Sequence, residues 1–223
     1  MSARILFADP ESARDALAFA GRAQRIGDEG VRLQAAGGVM TLTTAVLAPH
    51  TLFDATPTVL AMRVAAVDPE LRCDLVVAEL FASDDPRALT LPETGLSPSW
   101  AGISPPRGGW APRSEIAASA LALRAQWGIS AVAYGAPTGS GEEAVRTLRA
   151  EIWGAPDEDI DGLPRGMAFA AEAMGFIEGQ EQARVTVAER WTRLTLRRGH
   201  VLSRGPVAVG LTPVRATGRA PRA

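Results

Sequence analysis

The chain is expected to fold as an α+β protein: an N-terminal antiparallel β-meander carrying one helix, then a three-helix unit closed by a C-terminal β-hairpin. Three observations predict this. Runs rich in β-branched residues gather at the two ends, in "VRLQAAGGVMTLTTAVLA" with "TPTVLAMRVAAV" and in "ARVTVAERWTRLTL". Helical spacing fills the region between. "PETGLSPSWAGISPPRGGWAP", with five prolines from Pro92 to Pro112, separates the two parts. A parallel, doubly wound sheet would instead alternate strand and helix along the chain. The division this implies is a sheet-plus-helix unit over 1–91, a crossover over 92–112, a helical unit with hairpin over 113–204, and a loosely held Arg-rich tail over 205–223.

Taken in order, Asp9 is placed to cap a helix, Pro10 suits its first position and Glu11 its first turn, which predicts a helix over 10–25. Gly37-Gly38 supplies the positive φ of a tight hairpin between two strands. A third strand follows, with Leu60, Met62 and Val64 alternating toward one face. "DLVVAELFA", 74–82, fits strand or buried helix, and helix is favoured slightly. The crossover is expected to run over the surface, pinned by Trp100 and Trp110. Beyond it, Ile116, Ala120, Leu123 and Trp127 form the inward stripe of a helix. "GSGEEAVRTLRAEIWG" gives a second, with a Ser140/Glu143 capping box and Val145, Leu148 and Ile152 facing in. A third, short helix covers 163–174. The strands of 184–196 then alternate Val185/Val187 and Leu194/Leu196, and "HVLSR" adds another. No internal repeat is evident.

Composition excludes several chemistries. All 23 basic residues are Arg, and the 223-residue chain has neither Lys nor Asn. Schiff-base lysines, P-loop lysines and Asn oxyanion donors are therefore impossible. The single Cys73 leaves no internal disulfide and no zinc spacing. The apolar runs fall short of the ~20 residues of a membrane helix, and a soluble, cytoplasmic protein without cofactor or membrane partner is expected. An enzyme is disfavoured. His50 with Asp54 is the weak candidate pair for a cofactor-free hydrolase or isomerase.

"DEDIDGLPRGMA", 157–168, begins like a calcium loop, with Asp157, Asp159, Asp161 and Gly162 in register. Its twelfth position is Ala168, where the bidentate Glu belongs. The acids therefore read as helix-entry charges, with a weak cation site as the alternative. "YGAPTGSGEEAVR" resembles a phosphate loop, but the capping box consumes the N–H groups an anion would need.

The distribution of charge is uneven. Residues 184–223 hold nine Arg against Glu189 alone, although the whole chain carries a net charge of −2. Such asymmetry points to a negative partner. Arg184, Arg190, Trp191, Arg193, Arg197 and Arg198 form the expected interaction surface, for a second copy of the chain or another protein, with nucleic acid as a less favoured partner. Three helices and a hairpin also suggest a winged helix. However, "LPRGMAFAAEAM" offers only Arg165 and Glu172 for groove contacts.

"SWAGISPPRGGW" and "GLPRGMAFAAEAMGFI…VTVAERWTRLTLRRGHV" resemble an uncharacterised family of actinobacterial proteins. The resemblance covers most of residues 15–204. It implies a bacterial cytosolic protein of GC-rich origin and brings no activity or catalytic residues with it.

Overall fold

The computed structural model describes residues 4–205 apart from 28, 52–53, 137–138 and 140. The tail beyond Gly205 and the Ser140 cap lie outside the described residues. The elements run β1 (Arg4–Leu6), α1 (Pro10–Ile26), β2 (Val31–Ala36), β3 (Val39–Leu47), β4 (Thr58–Ala66), β5 (Cys73–Val77), β6 (Phe81–Ala82), β7 (Ala88–Thr90), β8 (Ala111–Ala117), α2 (Ala118–Gly135), α3 (Glu142–Gly154), β9 (Pro156–Asp157), β10 (Leu163–Pro164), α4 (Arg165–Ala173), β11 (Gln182–Ala188), β12 (Trp191–Leu196) and β13 (Gly199–Arg204). The α+β class is the expected one.

The arrangement is more unified than the sequence suggests. β5-β2-β3-β4-β13-β12-β11-β8 form one eight-stranded sheet, antiparallel at every step. Strands from the two ends of the chain meet at its centre, where β4 pairs β13 through Leu60↔Leu202 and Met62↔His200. The meander β2-β3-β4 with β5 outside it is mirrored by β13-β12-β11 with β8 outside. The fold thus contains an architectural repeat that no recurring sequence pattern reveals. It also corrects the winged-helix picture: β11 and β12 have sheet neighbours on both sides and do not project as a wing.

The start of α1 is as expected. The Asp9 carboxylate accepts the Ser12 amide at 2.8 Å, satisfying one of the free N–H groups of the first turn. Ala13, Ala16, Phe19, Ala20 and Ala23 form its buried stripe. Helices α1, α3 and α4 pack on strands of the sheet, and α2 packs on α3 and α4. Beneath them lies the main core, from Leu33, Met40, Leu42, Val59 and Ala61 across to Leu194 and Val201. Trp153 is the buried anchor of α3. It stacks on Phe169 at 4.4 Å and fits against Gly128, where an added Cβ would lie 2.2 Å from its ring.

Two local expectations are overturned. Residues 73–77 form β5, not a helix, and 81–82 belong to β6. A short apolar run takes its state from its neighbours, and β2 offers a free edge with Leu33↔Leu75 in register. Residues 111–117 form β8, so the following helix begins at Ala118 and presents a different face. Ala118, Leu121, Ala125 and Gly128 are buried, whereas Leu123 and Trp127 are 63% and 48% exposed. Arg124 is the one charged residue of α2, so polarity gives the helix no strong preference for which side faces in.

Candidate functional site

The sheet is covered by helices on one face and partly by the crossover on the other. Trp100, in a 3₁₀ turn over Ser99–Gly102, is 2% exposed. It joins Ala45, Leu60, Val76, Trp191 and Leu202 in a second core on the outer face. Its indole N–H donates to the Glu29 carbonyl at 3.2 Å. Farther along, the Trp110 indole donates to the Pro106 carbonyl at 3.1 Å, bracing the 106–110 turn. Arg32 reaches from the sheet to the Ser104 hydroxyl at 3.3 Å.

Where this cover ends, a groove of about 580 Å³ opens between the 104–110 segment and the sheet. Directly opposed residues of neighbouring antiparallel strands share a face. One row across the sheet therefore reads Asp74, Gln34, Thr41, Val64. The next includes Met62, His200, Thr195 and Arg184. A third joins Leu202 to Arg193. The floor is apolar at Met62, Val64 and Leu202, with Val39 at the end of the groove. Val39 and Val64 are 48% and 46% exposed.

The polar ends of the groove differ. On one side Asp74 accepts hydrogen bonds from Nε and Nη2 of Arg32, at 2.8 and 2.9 Å, and from the Gln34 amide at 3.1 Å. Arg32 holds this carboxyl below its usual range; burial opposes it, and Gln34 adds to the lowering. On the other side the Arg193 guanidinium lies 4.4 Å from the Trp110 ring. Its Nε is buried with no hydrogen-bond partner among the described residues. Burial, then neighbouring Arg184, works against its charge. His200 Nδ1 lies 3.1 Å from the Thr195 hydroxyl. Burial, then Arg193 and Arg63, lowers its pKa, so the neutral ring is favoured. The groove is therefore an apolar strip with a neutralised acid at one end and an under-satisfied cation at the other.

The structure gathers only part of the expected interaction surface. Arg193 lines the groove, and Arg184, exposed, stands beside it on the same face. Trp191 is 5% exposed beneath the crossover, so its ring is a packing element. Arg190 donates to the Gly205 carbonyl at the far turn. Arg197 and Arg198 sit at the opposite turn, where Arg198 bonds Glu178 at 2.8 Å and Arg197 lies 3.9 Å from Glu181.

Asp54 of the weak catalytic pair meets His50 through the histidine's backbone amide. Asp54 accepts the backbone amides of His50 and Thr56, each at 2.9 Å, as a turn-closing carboxylate. Burial pushes its pKa up, but the hydroxyl and amide of Thr56 and the His50 amide outweigh this and hold it down. The three acids of the calcium-like loop are matched by arginines. Arg165 bonds Asp157 at 2.8 Å, Arg124 bonds Asp159 at 2.9 Å, and Arg113 lies 3.0 Å from Asp161. Each of the three carboxylates thus has an arginine partner.

No local sequence signal marks Trp110, His200, Met62 or Val64 as site residues. Met62 and Val64 were visible as an alternating strand face, but they lie on the outer face, away from the helices. The approach of Trp110 to Arg193 joins residues far apart in the chain, and no local spacing signals it.

Residues 1–102 match the model described as Domain of unknown function (DUF8010), and residues 105–208 match Domain of unknown function (DUF8185). Their boundary falls within the crossover, so the two matched regions correspond to the two halves of the sheet. No curated protein matches the chain in sequence. In structure the chain is similar to a DNA polymerase sliding clamp from Caulobacter crescentus: 12% identity, TM-score 0.50, covering 98% of this chain and 69% of that one. A DnaN sliding clamp (DNA polymerase III subunit beta) from Bartonella birtlesii aligns at 14% identity and TM-score 0.48, covering 95% and 67%. At such identities the likeness concerns the fold alone. No helix among the described residues is long and apolar enough to cross a membrane.

Proposed function

We propose that the chain is a non-enzymatic association module whose outer sheet face binds another protein chain. The observation that carries this reading is the groove: an apolar floor left open beside an under-satisfied arginine. Exposed apolar surface rimmed by polar groups is the usual mark of a protein contact, and Arg and Trp are enriched where such contacts are strongest. The clamp-like scaffold supports the reading, because the similar Caulobacter protein is named as a sliding clamp of a DNA polymerase.

A nucleic-acid module fits less well. The long helix α2 carries Arg124 alone, so its exposed face presents no basic stripe. Of the C-terminal arginines, Arg198 is engaged by Glu178 and Arg197 lies near Glu181.

Site-specific photocrosslinking in the native host tests the proposal. With p-benzoylphenylalanine in place of Val64, a discrete protein adduct is expected. The same probe at Tyr134, 91% exposed on α2, serves as the off-site control. An adduct at twice the chain mass would make the partner a second copy. No adduct at position 64, or equal labelling at both positions, refutes the outer face as the contact surface.

A further inference from the structure

We infer that the groove recognises an extended, acidic–apolar peptide segment, with Arg193 anchoring a carboxylate of the partner while Val39, Met62 and Val64 receive its apolar side chains. This rests on the association reading and names the partner's chemistry.

Charge complementarity carries it. Asp74 at one end is already neutralised by Arg32, so the groove makes no demand for a cation. Arg193 has the opposite status. Trp110 covers its guanidinium, its Nε is buried with no acceptor among the described residues, exposed Arg184 stands beside it, opposite Glu115 of β8, and Arg107 lines the facing wall. The Nη nitrogens of this partly exposed guanidinium face no carboxylate among the described residues, and a partner's carboxylate would take charge-assisted hydrogen bonds from them. A phosphate would satisfy the same charge, but a polyanion offers nothing to the valine–methionine floor. The groove is also open along its length, which suits a chain laid across the sheet better than a small enclosed acid.

The test uses the full chain, immobilised, and a random dodecapeptide phage library. Selected sequences are expected to be enriched in Asp or Glu close to Leu, Ile or Phe. The best of them, synthesised with a fluorophore, should lose at least roughly tenfold in affinity when its acid is replaced by the amide, the factor one charge-assisted hydrogen bond carries. Arg193→Gln should abolish that preference, so that acid and amide peptides bind alike. Val64→Glu should weaken both. Circular dichroism of each variant establishes that it is folded, and Arg198→Gln, at the remote turn, should leave the preference intact.

Enrichment of neutral or basic peptides, an acid preference that survives Arg193→Gln, or no selection at all would overturn the inference. None of these touches the crosslinking result at position 64. Light scattering supplies the remaining outcome. A dimer abolished by Arg193→Gln or Val64→Glu would make the groove a self-contact and overturn the peptide assignment, while the association reading stands.

Discussion

Replacing Trp100 by Ala tests whether the crossover is part of the fold or a strap lying on it. The side chain is 2% exposed and packs with Ala45, Leu60 and Val76 on the outer face of the sheet. Truncating a buried Trp costs about 3–5 kcal/mol through lost transfer energy and the cavity left behind. The Glu29 carbonyl also loses its indole donor, adding about 1 kcal/mol where water does not reach it. Water will enter part of this shallow site, so a loss of about 4 kcal/mol is expected. That is a large fraction of the 5–15 kcal/mol of an ordinary domain. Urea unfolding followed by far-UV circular dichroism measures it, with unchanged m as the sign that only stability moved. Trp100→Phe keeps most of the packing and should lose about 1–2 kcal/mol. Trp110→Ala should cost a similarly small amount, because that ring is half-buried and its stacking on Arg193 contributes about 1 kcal/mol. A loss below about 1.5 kcal/mol for Trp100→Ala would refute the second core. The groove wall at 104–107 would then have no fixed support.

Other expectations follow from single contacts. Gly128→Ala drives a methyl into the Trp153 ring; overpacking of this kind costs about 1–3 kcal/mol, and calorimetry should show a lower Tm, with unchanged thermal stability as the contrary result. Asp157→Ala leaves Arg165 and Arg124 facing a hole, and about 2 kcal/mol should be lost, less than for a fully buried pair because both arginines reach water. For wild-type Asp157 burial raises the pKa, but Arg165 and the Asp159 amide outweigh it and the carboxyl sits below its ordinary value. Its contribution is thus full at neutral pH and fades as pH falls through and below the carboxylate range; urea midpoints of Asp157→Ala should drop less than those of wild type in acid, and parallel curves would contradict the pairing. His200, held neutral by burial and by Arg193 and Arg63, makes the unfolded chain the better proton acceptor, so stability should fall as pH drops below about 6.5. His200→Gln should remove that decline, and the His200 ring resonances in wild type should titrate below the usual histidine value; an ordinary titration would show the ring to be solvated.

The elements that were legible in the sequence carry local signals. Asp9-Pro10 marks the start of α1, and Gly37 and Gly38, with φ of 61° and 82°, mark the first hairpin. What failed to show depends on partners distant in the chain. Residues 74–77 became a strand because β2 had a free edge, and β8 formed because β11 pairs with it through Arg184↔Glu115. The acids at 157, 159 and 161 carry no visible label for the arginines that neutralise them, since Arg113 and Arg124 come from β8 and α2. Arg193 was visible in an alternating basic strand, yet nothing near it in the chain announces Trp110.

The floor of the groove was visible in a different way. Thr58 to Ala61 are buried without interruption, because helices cover one face of β4 and the crossover covers the other. Burial on two sides erases the period of two that an antiparallel strand normally shows. The outer-face residues of β4 stay apolar through Met62, at the margin of the second core, to exposed Val64, whereas a strand facing water would turn polar there. Apolar residues extending beyond their cover are the sequence trace of a surface made to be covered by something else. Exchanging Val64 for Glu, which touches no core residue, is therefore expected to leave the Tm within about 2 °C while removing the contact. A large loss of stability would instead mean that Val64 belongs to the fold.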